Sequence, residues 1–353
     1  MTDVEHASGD LLRETAERLF REHCTQAVLR AADEGIWPAA AWTAVGEAGL
    51  NLALLPESAG GYGVAVTDAL SLLRVAGEHA LPLPLAETML AGWMLAQAGI
   101  AVPAGPLTVA PVAGAESLVL QPDGAGWRLT GTAHRVPWGR NAVAAAVLAE
   151  RDGAGLVALV PREAWTVEQE ANVAHEPRDT LHFHGGVTAA APAGLTRAEL
   201  RAAGAAIRAQ QLAGGLVRLT AMTTQYAQDR IQFGRPIGKF QAIQQNLAVL
   251  AGQTAAACAA ADLAAEAVAD GLRVLPIAAG KARAGEAAGI GASIAHQVHG
   301  AIGFTFEHAL HFVTRRLWSW RDEFGNETEW NRLLGRHMAA AGADRLWAGI
   351  TAA

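Results

Sequence analysis

The sequence predicts a mainly α-helical protein with an N-terminal α-helical domain (1-104), a middle antiparallel β domain (105-194) and a C-terminal helical bundle of the four-helix type (195-353). Three observations predict this order. Apolar residues recur at helical spacing towards both ends of the chain. Short apolar runs bounded by Asp-Gly pairs appear in the middle. The 353 residues, 51% hydrophobic and 17% charged, are enough for two or three cores.

Prolines and glycines separate the predicted helices of the N-terminal third. Pro38 interrupts the first amphipathic pattern, and Gly49 is suited to cap the second. The predicted helices are Leu11 to about Arg30, Ala40–Ala48, Thr67–Gly77 and Glu87–Gly99.

Proline and glycine become frequent from about Pro103, and the helical period is lost. Asp123-Gly124 and Asp152-Gly153 favour tight turns between strands. The predicted strands are Ser117–Leu120, Trp127–Leu129, Ala142–Leu148, Leu156–Val160 and Leu181–Phe183.

Helices return at Thr196, where Glu199 three residues later indicates a capping box. Four or five helices are predicted in this region: one ending before Arg230, then Lys239 to about Gly271, Pro276–His299, Glu307–Trp318 and Thr328–Ala341.

The composition excludes several classes of protein. A net charge of -7 provides no basic surface for nucleic acid. Only two cysteines occur, which fits a reducing compartment. Met1 to Asp10 has no secretory-signal pattern, and no apolar run approaches the roughly 20 residues that span a bilayer. We therefore expect a cytoplasmic protein without nucleic-acid or membrane partners.

The most informative segment runs from Arg230 to Gln241, between two helical patterns. Gly234 and Pro236 break the helix there. The guanidinium group of Arg230 offers a planar fork of donors that suits phosphate oxygens. The alternative is an ordinary turn with solvated charges.

This segment resembles the signature of the acyl-CoA dehydrogenase family. Three matches follow the family order and together span most of the chain: Leu55-Pro56-Glu57 with Gly60-Gly61-Tyr62-Gly63; Tyr226, Arg230, Gln232-Phe233-Gly234, Pro236-Ile237 and Phe240-Gln241; and Gln297-Val298-His299-Gly300-Ala301-Ile302-Gly303-Phe304.

The resemblance implies FAD as cofactor, bound between the β domain and the C-terminal bundle and reaching a neighbouring subunit. It implies α,β-dehydrogenation of an acyl-CoA thioester, with electrons passed to an electron-transfer flavoprotein. The FAD-contacting positions would be Arg230 at the pyrophosphate, flanked by Gln232 and Phe233, Gln241 near the adenosine, and Gln297, Gly300 and Ala301 at the adenine end.

This chain departs from the family pattern at the position of the catalytic carboxylate. Phe324 stands at the usual position of the base, and Gly204 stands at the alternative position, 22 residues before Tyr226. Glu323 fits as the base if its match to the family pattern may be shifted by one residue. The alternative is that Glu323 and Glu327 are solvated acids near a helix N-terminus.

The stretches that contact the flavin ring in active members are also incomplete, with Thr108 and Trp138 in the nearest counterparts. This pattern resembles the non-catalytic subunit of heteromeric acyl-CoA dehydrogenases of sterol and aromatic side-chain breakdown. A homo- or hetero-oligomer is therefore expected, either self-sufficient or completing the FAD site of a partner. The histidine pair His296 and His299 has helical spacing without a third ligand, so we predict no metal.

Overall fold

The computed structural model describes residues 2–112, 116–124 and 126–351. Contacts between residues divide the chain into two compact units. The first comprises residues up to 72 and 81–201, and the second comprises 73–80 and 202–353. The predicted domain boundaries after residues 104 and 194 stay a prediction.

Among the described residues of the N-terminal third there are five helices: α1 Thr2–His23, α2 Gln26–Asp33, α3 Ala39–Glu47, α4 Val66–Glu78 and α5 Leu85–Gln97. The first predicted helix is divided because Thr25, in extended conformation, accepts the Val28 N–H and begins α2. Pro38 precedes α3, and Gly49 follows it in the left-handed region with φ 65°. The predicted interruption of the helices by Pro38 and Gly49 is therefore confirmed.

In the part of the middle region that the structure describes, eight strands form one sheet: β1 Leu107–Ala110, β2 Val119–Asp123, β3 Gly126–Pro137, β4 Ala144–Arg151, β5 Ala154–Pro161, β6 Trp165–Glu168, β7 Arg178–Phe183 and β8 Ala189–Pro192. Their order is β6-β7-β3-β2-β4-β5-β8, with β1 beside β4. Most pairs are antiparallel, as predicted, but β1 and β2 both pair with β4 in parallel. The short strands β1, β6 and β8 were not predicted.

The sheet core consists mainly of small apolar side chains. Ala145, Val147, Ala158 and Val160 are completely buried on β4 and β5. Trp165 and Phe183 pack against each other at 5.9 Å between ring centroids and fill the other end of the sheet.

The C-terminal part is helical: α6 Arg197–Asp229, α7 Gln241–Ala269, α8 Val274–His299, α9 Leu310–Asp322, α10 Glu327–Ala341 and α11 Leu346–Thr351. The predicted capping box is present before α6, where the Glu199 carboxylate accepts the Thr196 N–H at 2.6 Å. A second box, Asn326 with Glu329, begins α10. The mainly α fold class with a middle sheet is confirmed.

Helices α7 and α8 pack closely through small residues. Gly280 of α8 lies so near Ala260 and Ala264 of α7 that a side chain at Gly280 would collide with them. Within the described residues, α7 is also the one helix long and apolar enough to cross a membrane. Its apolar residues do not form one continuous run in the sequence, because glutamine and threonine interrupt them.

Candidate functional site

Two short strands shape the segment from Arg230 to Gln241. After α6 ends, β9 (Ile231–Gln232) pairs with β10 (Arg235–Pro236) in antiparallel register. Phe233 and Gly234 connect them with φ of 51° and 77°, as two-residue hairpins with right-handed twist require. The Ile237 N–H closes the hairpin on the Arg230 carbonyl at 2.8 Å.

The predicted FAD-contacting side chains of this hairpin point outwards. Arg230, Gln232 and Gln241 are exposed, and none makes a side-chain hydrogen bond or ion pair to another described residue. Phe233 is 92% exposed. By contrast, the Arg235 guanidinium lies 4.3 Å above the Phe240 ring. Within the described ranges, the segment thus presents the unpaired guanidinium of Arg230 and the unpaired amides of Gln232 and Gln241.

The second predicted segment follows the end of α8. Gln297, Gly300 and Ala301 are exposed, and a side chain at Gly300 would meet no atom within 4 Å. Tyr226 joins this segment to the hairpin, because its hydroxyl donates to the His299 carbonyl at 3.3 Å. Their rings stack at 4.3 Å. The structure therefore brings the two predicted segments together around the end of α6.

Burial lowers the pKa values of the histidines beside this segment, His296, His299 and His308. Neutral imidazoles are suited to stacking. Among the residues that the structure describes, no group of three or more histidine, cysteine or acidic side chains could hold a metal ion.

Glu323 lies immediately after α9 and is not solvated. Its carboxylate is 7% exposed and accepts hydrogen bonds from Nε and Nη2 of Arg208 at 2.7 Å each. Arg208 is itself 1% exposed. The solvated-acid interpretation is therefore wrong for Glu323, because its charge is neutralised inside the bundle. Glu327, the other acid, pairs with Arg321.

Phe324 and Gly204 meet in space, although they are far apart in sequence. Phe324 is 4% exposed and adopts a positive φ of 53°, which directs its ring towards α6. A methyl group at Gly204 would overlap that ring. The two positions where the resemblance predicts a base are thus occupied by a phenyl ring and by the glycine that makes room for it.

Lys281, on α8, hydrogen-bonds to the end of α9 and to the turn that follows it. It is completely buried and donates to the carbonyls of Arg321 at 2.6 Å and Gly325 at 2.9 Å. Burial lowers its pKa to about 7, partly offset by the Glu323 charge. Sequence reasoning missed Lys281 and Arg208, because the spacing of a lysine or arginine in a helix does not reveal a buried partner.

The residues nearest to the family's flavin-ring contacts are used in packing. Thr108 is completely buried and donates to the Pro137 carbonyl. Trp138 is 6% exposed, and its ring lies edge-on to Trp37 at 6.2 Å. Neither side chain presents an open face to a ligand.

The described residues fit one part of FAD better than the other. The unpaired cation and amides near the end of α6 suit a diphosphate and an adenosine, which need charge-assisted and neutral donors. Thr108 and Trp138 do not form a flavin-ring site in the first unit. The chain therefore fits the adenosine diphosphate half of FAD.

Comparison with known proteins agrees with this chemistry. The family model "Acyl-CoA dehydrogenase, N-terminal domain" matches residues 7–101, and "Acyl-CoA dehydrogenase, C-terminal domain" matches residues 187–351. Acyl-CoA dehydrogenase IpdE2 of Mycobacterium tuberculosis is 31% identical over 87% of this chain and 89% of the relative. Acyl-CoA dehydrogenase FadE34 of that organism is 29% identical, but the match spans 47% of its length.

Among the solved structures that are similar over nearly the whole chain, two are described by paired protein names. The ChsE4-ChsE5 complex of Mycobacterium tuberculosis has a TM-score of 0.84, with 27% identity over 97% of this chain and 99% of that one. A variant of the Tcur3481-Tcur3483 steroid ACAD has a TM-score of 0.87, with 25% identity over 96% and 99%. The chain belongs to the acyl-CoA dehydrogenase family, FAD-dependent oxidoreductases that act on CH–CH bonds.

Proposed function

We propose that this chain takes part in acyl-CoA dehydrogenation as the subunit that completes the FAD site of a partner acyl-CoA dehydrogenase. The observation that carries the proposal is that Phe324 and Gly204, the residues at the two positions where the resemblance places a base, carry no carboxylate, and that the Phe324 ring fills the space beside Gly204. The exposed, unpaired Arg230 and its neighbouring amides support the other half of the proposal, a contribution to a shared FAD.

The chemistry explains why a missing base is decisive. When bound, FAD would supply the acceptor for the β-hydrogen, so the part left to the protein is removal of the weakly acidic α-proton. A general base does this only within hydrogen-bond reach of that proton. Phe324 has no group that accepts a proton. In this chain the proton would therefore have to be taken by a residue of the partner.

Glu323 is the competing candidate, and its surroundings disfavour that role. Arg208 donates twice to one carboxylate oxygen. Paired cationic donors favour the ionised form and resist protonation. To act as base, Glu323 would have to leave a buried pair, and this would leave Arg208 uncompensated in the bundle at a cost of several kcal/mol.

The relatives support assembly with a second protein. Two structural neighbours are described by paired names, ChsE4-ChsE5 and Tcur3481-Tcur3483. We infer that this chain forms a hetero-oligomer of the same kind. In the proposed complex an electron-transfer flavoprotein would be the acceptor of the electrons. We expect a cytoplasmic complex, since Cys24 and Cys258 form no disulfide bond.

The test is the visible absorption spectrum of the chain purified alone and purified together with a candidate partner dehydrogenase. We expect a colourless lone chain and a yellow complex that acyl-CoA thioesters bleach. Stoichiometric flavin in the lone chain, bleached by a thioester, would overturn the proposal.

A charge-neutral variant separates the two candidate functions in the complex. Arg208→Gln together with Glu323→Gln removes both charges, so no buried charge is left unpaired. We expect acyl-CoA turnover to stay within about twofold of wild type. A loss of about 100-fold or more, with flavin content retained, would identify Glu323 as base.

A further inference from the structure

Residues 300–309 connect α8 to α9, and we call this segment the clasp. Its regular structure is a 3-10 turn over Gly300–Phe304. Gly300 begins the turn with a φ of 62° and a ψ of -144°, a conformation that favours glycine. Two large apolar side chains of the clasp face the solvent, since Phe304 is 72% and Phe306 is 76% exposed. A segment that buries so little apolar surface opens at a low free-energy cost.

Imidazole rings fasten the clasp to the end of α8. The Phe304 ring stacks on the ring of His296 at 4.4 Å between centroids. The His308 ring lies 4.8 Å from the ring of His299. His299 is in turn stacked on Tyr226 of α6 at 4.3 Å. Two ring pairs therefore join the clasp to the body of the bundle, and a histidine belongs to each pair.

A further imidazole fastens the clasp to α9. Nε2 of His311 donates to the Phe306 carbonyl at 3.3 Å, while Nδ1 accepts from the Arg315 guanidinium at 3.0 Å. Nδ1 of His308 accepts the N–H of Leu310, the first residue of α9, at 3.2 Å. These contacts need neutral imidazoles, because a ring nitrogen that accepts a hydrogen bond carries no proton.

Protonation of the α8 histidines would place a donor where no acceptor lies. Nδ1 of His299 donates to the Ala295 carbonyl at 2.8 Å, so the lone pair is on Nε2. The Thr314 hydroxyl donates to the Leu310 carbonyl and accepts from Nε2 of His296 at 3.2 Å, so the lone pair of that ring is on Nδ1. Both lone-pair nitrogens are buried without a hydrogen-bond partner in the described part of the chain. A proton on either one would bury a cationic N–H without an acceptor, which is strongly unfavourable.

The charges around the clasp also oppose protonation. Burial lowers the pKa of all three rings in the two ring pairs. At His299 the hydrogen bond to the Ala295 carbonyl raises the pKa in part, and the two neighbouring imidazoles lower it. Glu307, the carboxylate of the clasp, does not contribute to these lowered values. The titratable and charged groups that α6, α8, the clasp and α9 bring together here are Tyr226, His296, His299, Glu307, His308, His311 and Arg315.

We propose that the clasp is a pH-sensitive device, closed on α8 and α9 while its imidazoles are neutral and released when they take up protons. The inference is independent of the proposed function, because it concerns contacts within the lone chain. In the open clasp the rings are solvated and regain their ordinary pKa of 6.5, so they bind protons that the closed clasp excludes. The closed state therefore loses stability as the pH falls below 6.5. The opening equilibrium should rise by up to about tenfold per pH unit for each ring that takes up a proton.

The test is amide hydrogen exchange of the lone chain at pH 7.5 and pH 5.5, read on peptides by mass spectrometry and corrected for the intrinsic pH dependence of exchange. The amides of Thr305 and Phe312, which bond to carbonyls of the clasp, should exchange about tenfold faster or more at pH 5.5. Peptides from β4 and β5, which contain no histidine, should keep their protection. Equal loss of protection in both regions, or no loss in the clasp, would overturn the inference.

Asparagine replacements keep a hydrogen bond and remove the site of protonation. His308→Asn retains an acceptor for the Leu310 N–H, and His299→Asn retains a donor for the Ala295 carbonyl. Each should reduce the pH dependence of clasp exchange, by up to about tenfold over this range. His337→Asn, at an exposed position of α10, is the matched control and should keep the wild-type pH dependence. Wild-type pH dependence in both clasp variants would also overturn the inference. The wild-type comparison needs no variant, so it decides the question even where a replacement prevents folding.

Discussion

Two arginines of the same helical region have opposite environments. Arg208, within α6, is buried and its charge is satisfied by Glu323. Arg230, immediately after α6, is exposed and forms no ion pair in the described part of the chain. A satisfied buried charge stabilises the fold and is unavailable to a ligand. An unsatisfied surface charge contributes little to the fold and is available for binding.

The largest effect is expected inside the bundle. Arg208→Ala leaves the Glu323 carboxylate buried without its partner, which should lower the free energy of unfolding by about 3–5 kcal/mol. Chemical denaturation of the lone chain measures this.

A double replacement is the control. Arg208→Met with Glu323→Leu removes both charges and should restore much of that stability, since apolar pairs often substitute well for buried ion pairs. If Arg208→Ala alone has no measurable effect, the pair is not buried in solution.

Lys281 should make stability depend on pH. Its folded pKa of about 7 lies below its ordinary value of 10.5, so between these values the unfolded chain binds more protons. This contribution to the free energy of unfolding should rise with pH, by up to about 1.4 kcal/mol per unit, and be constant below pH 7.

Denaturation midpoints measured between pH 7 and 8.5 test this rise. The upper limit avoids the pH range in which Cys258 ionises in the unfolded chain, since burial raises the pKa of its thiol in the folded chain. Lys281→Met should remove the Lys281 component of the slope. The same slope in both proteins would contradict a lysine buried with a lowered pKa.

The sequence could predict features that depend on neighbouring residues, but not contacts between residues that are far apart in the chain. Helix ends were predicted from local signals such as Pro38, Gly49 and the Thr196–Glu199 box, which act within a few residues. The partners of Glu323 could not be predicted, since Arg208 lies 115 residues away along the chain. The contact of Phe324 with Gly204 is equally non-local. The family resemblance located both positions, and only the fold showed that they meet.

On the exposed side, Arg230→Ala should weaken FAD binding by the complex about tenfold or more, because a charge-assisted contact to phosphate is lost. Unfolding of the lone chain should change little. Arg235→Ala is the matched control, a cation of the same hairpin that covers Phe240. Calorimetric FAD titration at two salt concentrations distinguishes the two variants. Equal losses of FAD affinity in Arg230→Ala and Arg235→Ala would contradict the assignment of Arg230 to the pyrophosphate.

The smallest effect concerns Phe233, whose exposed ring is held at a strained backbone position. Phe233→Gly should stabilise the lone chain slightly, by up to about 1 kcal/mol, because glycine accepts a positive φ without steric cost. It should nevertheless weaken FAD retention in the complex, since the ring is lost. Phe233→Ala loses the ring but keeps the strain, so it should weaken FAD retention equally without the gain in stability. If glycine weakens neither FAD retention nor assembly, the ring has no role at the shared site, and the contrast between the two regions would rest on Arg230 and the neighbouring amides alone.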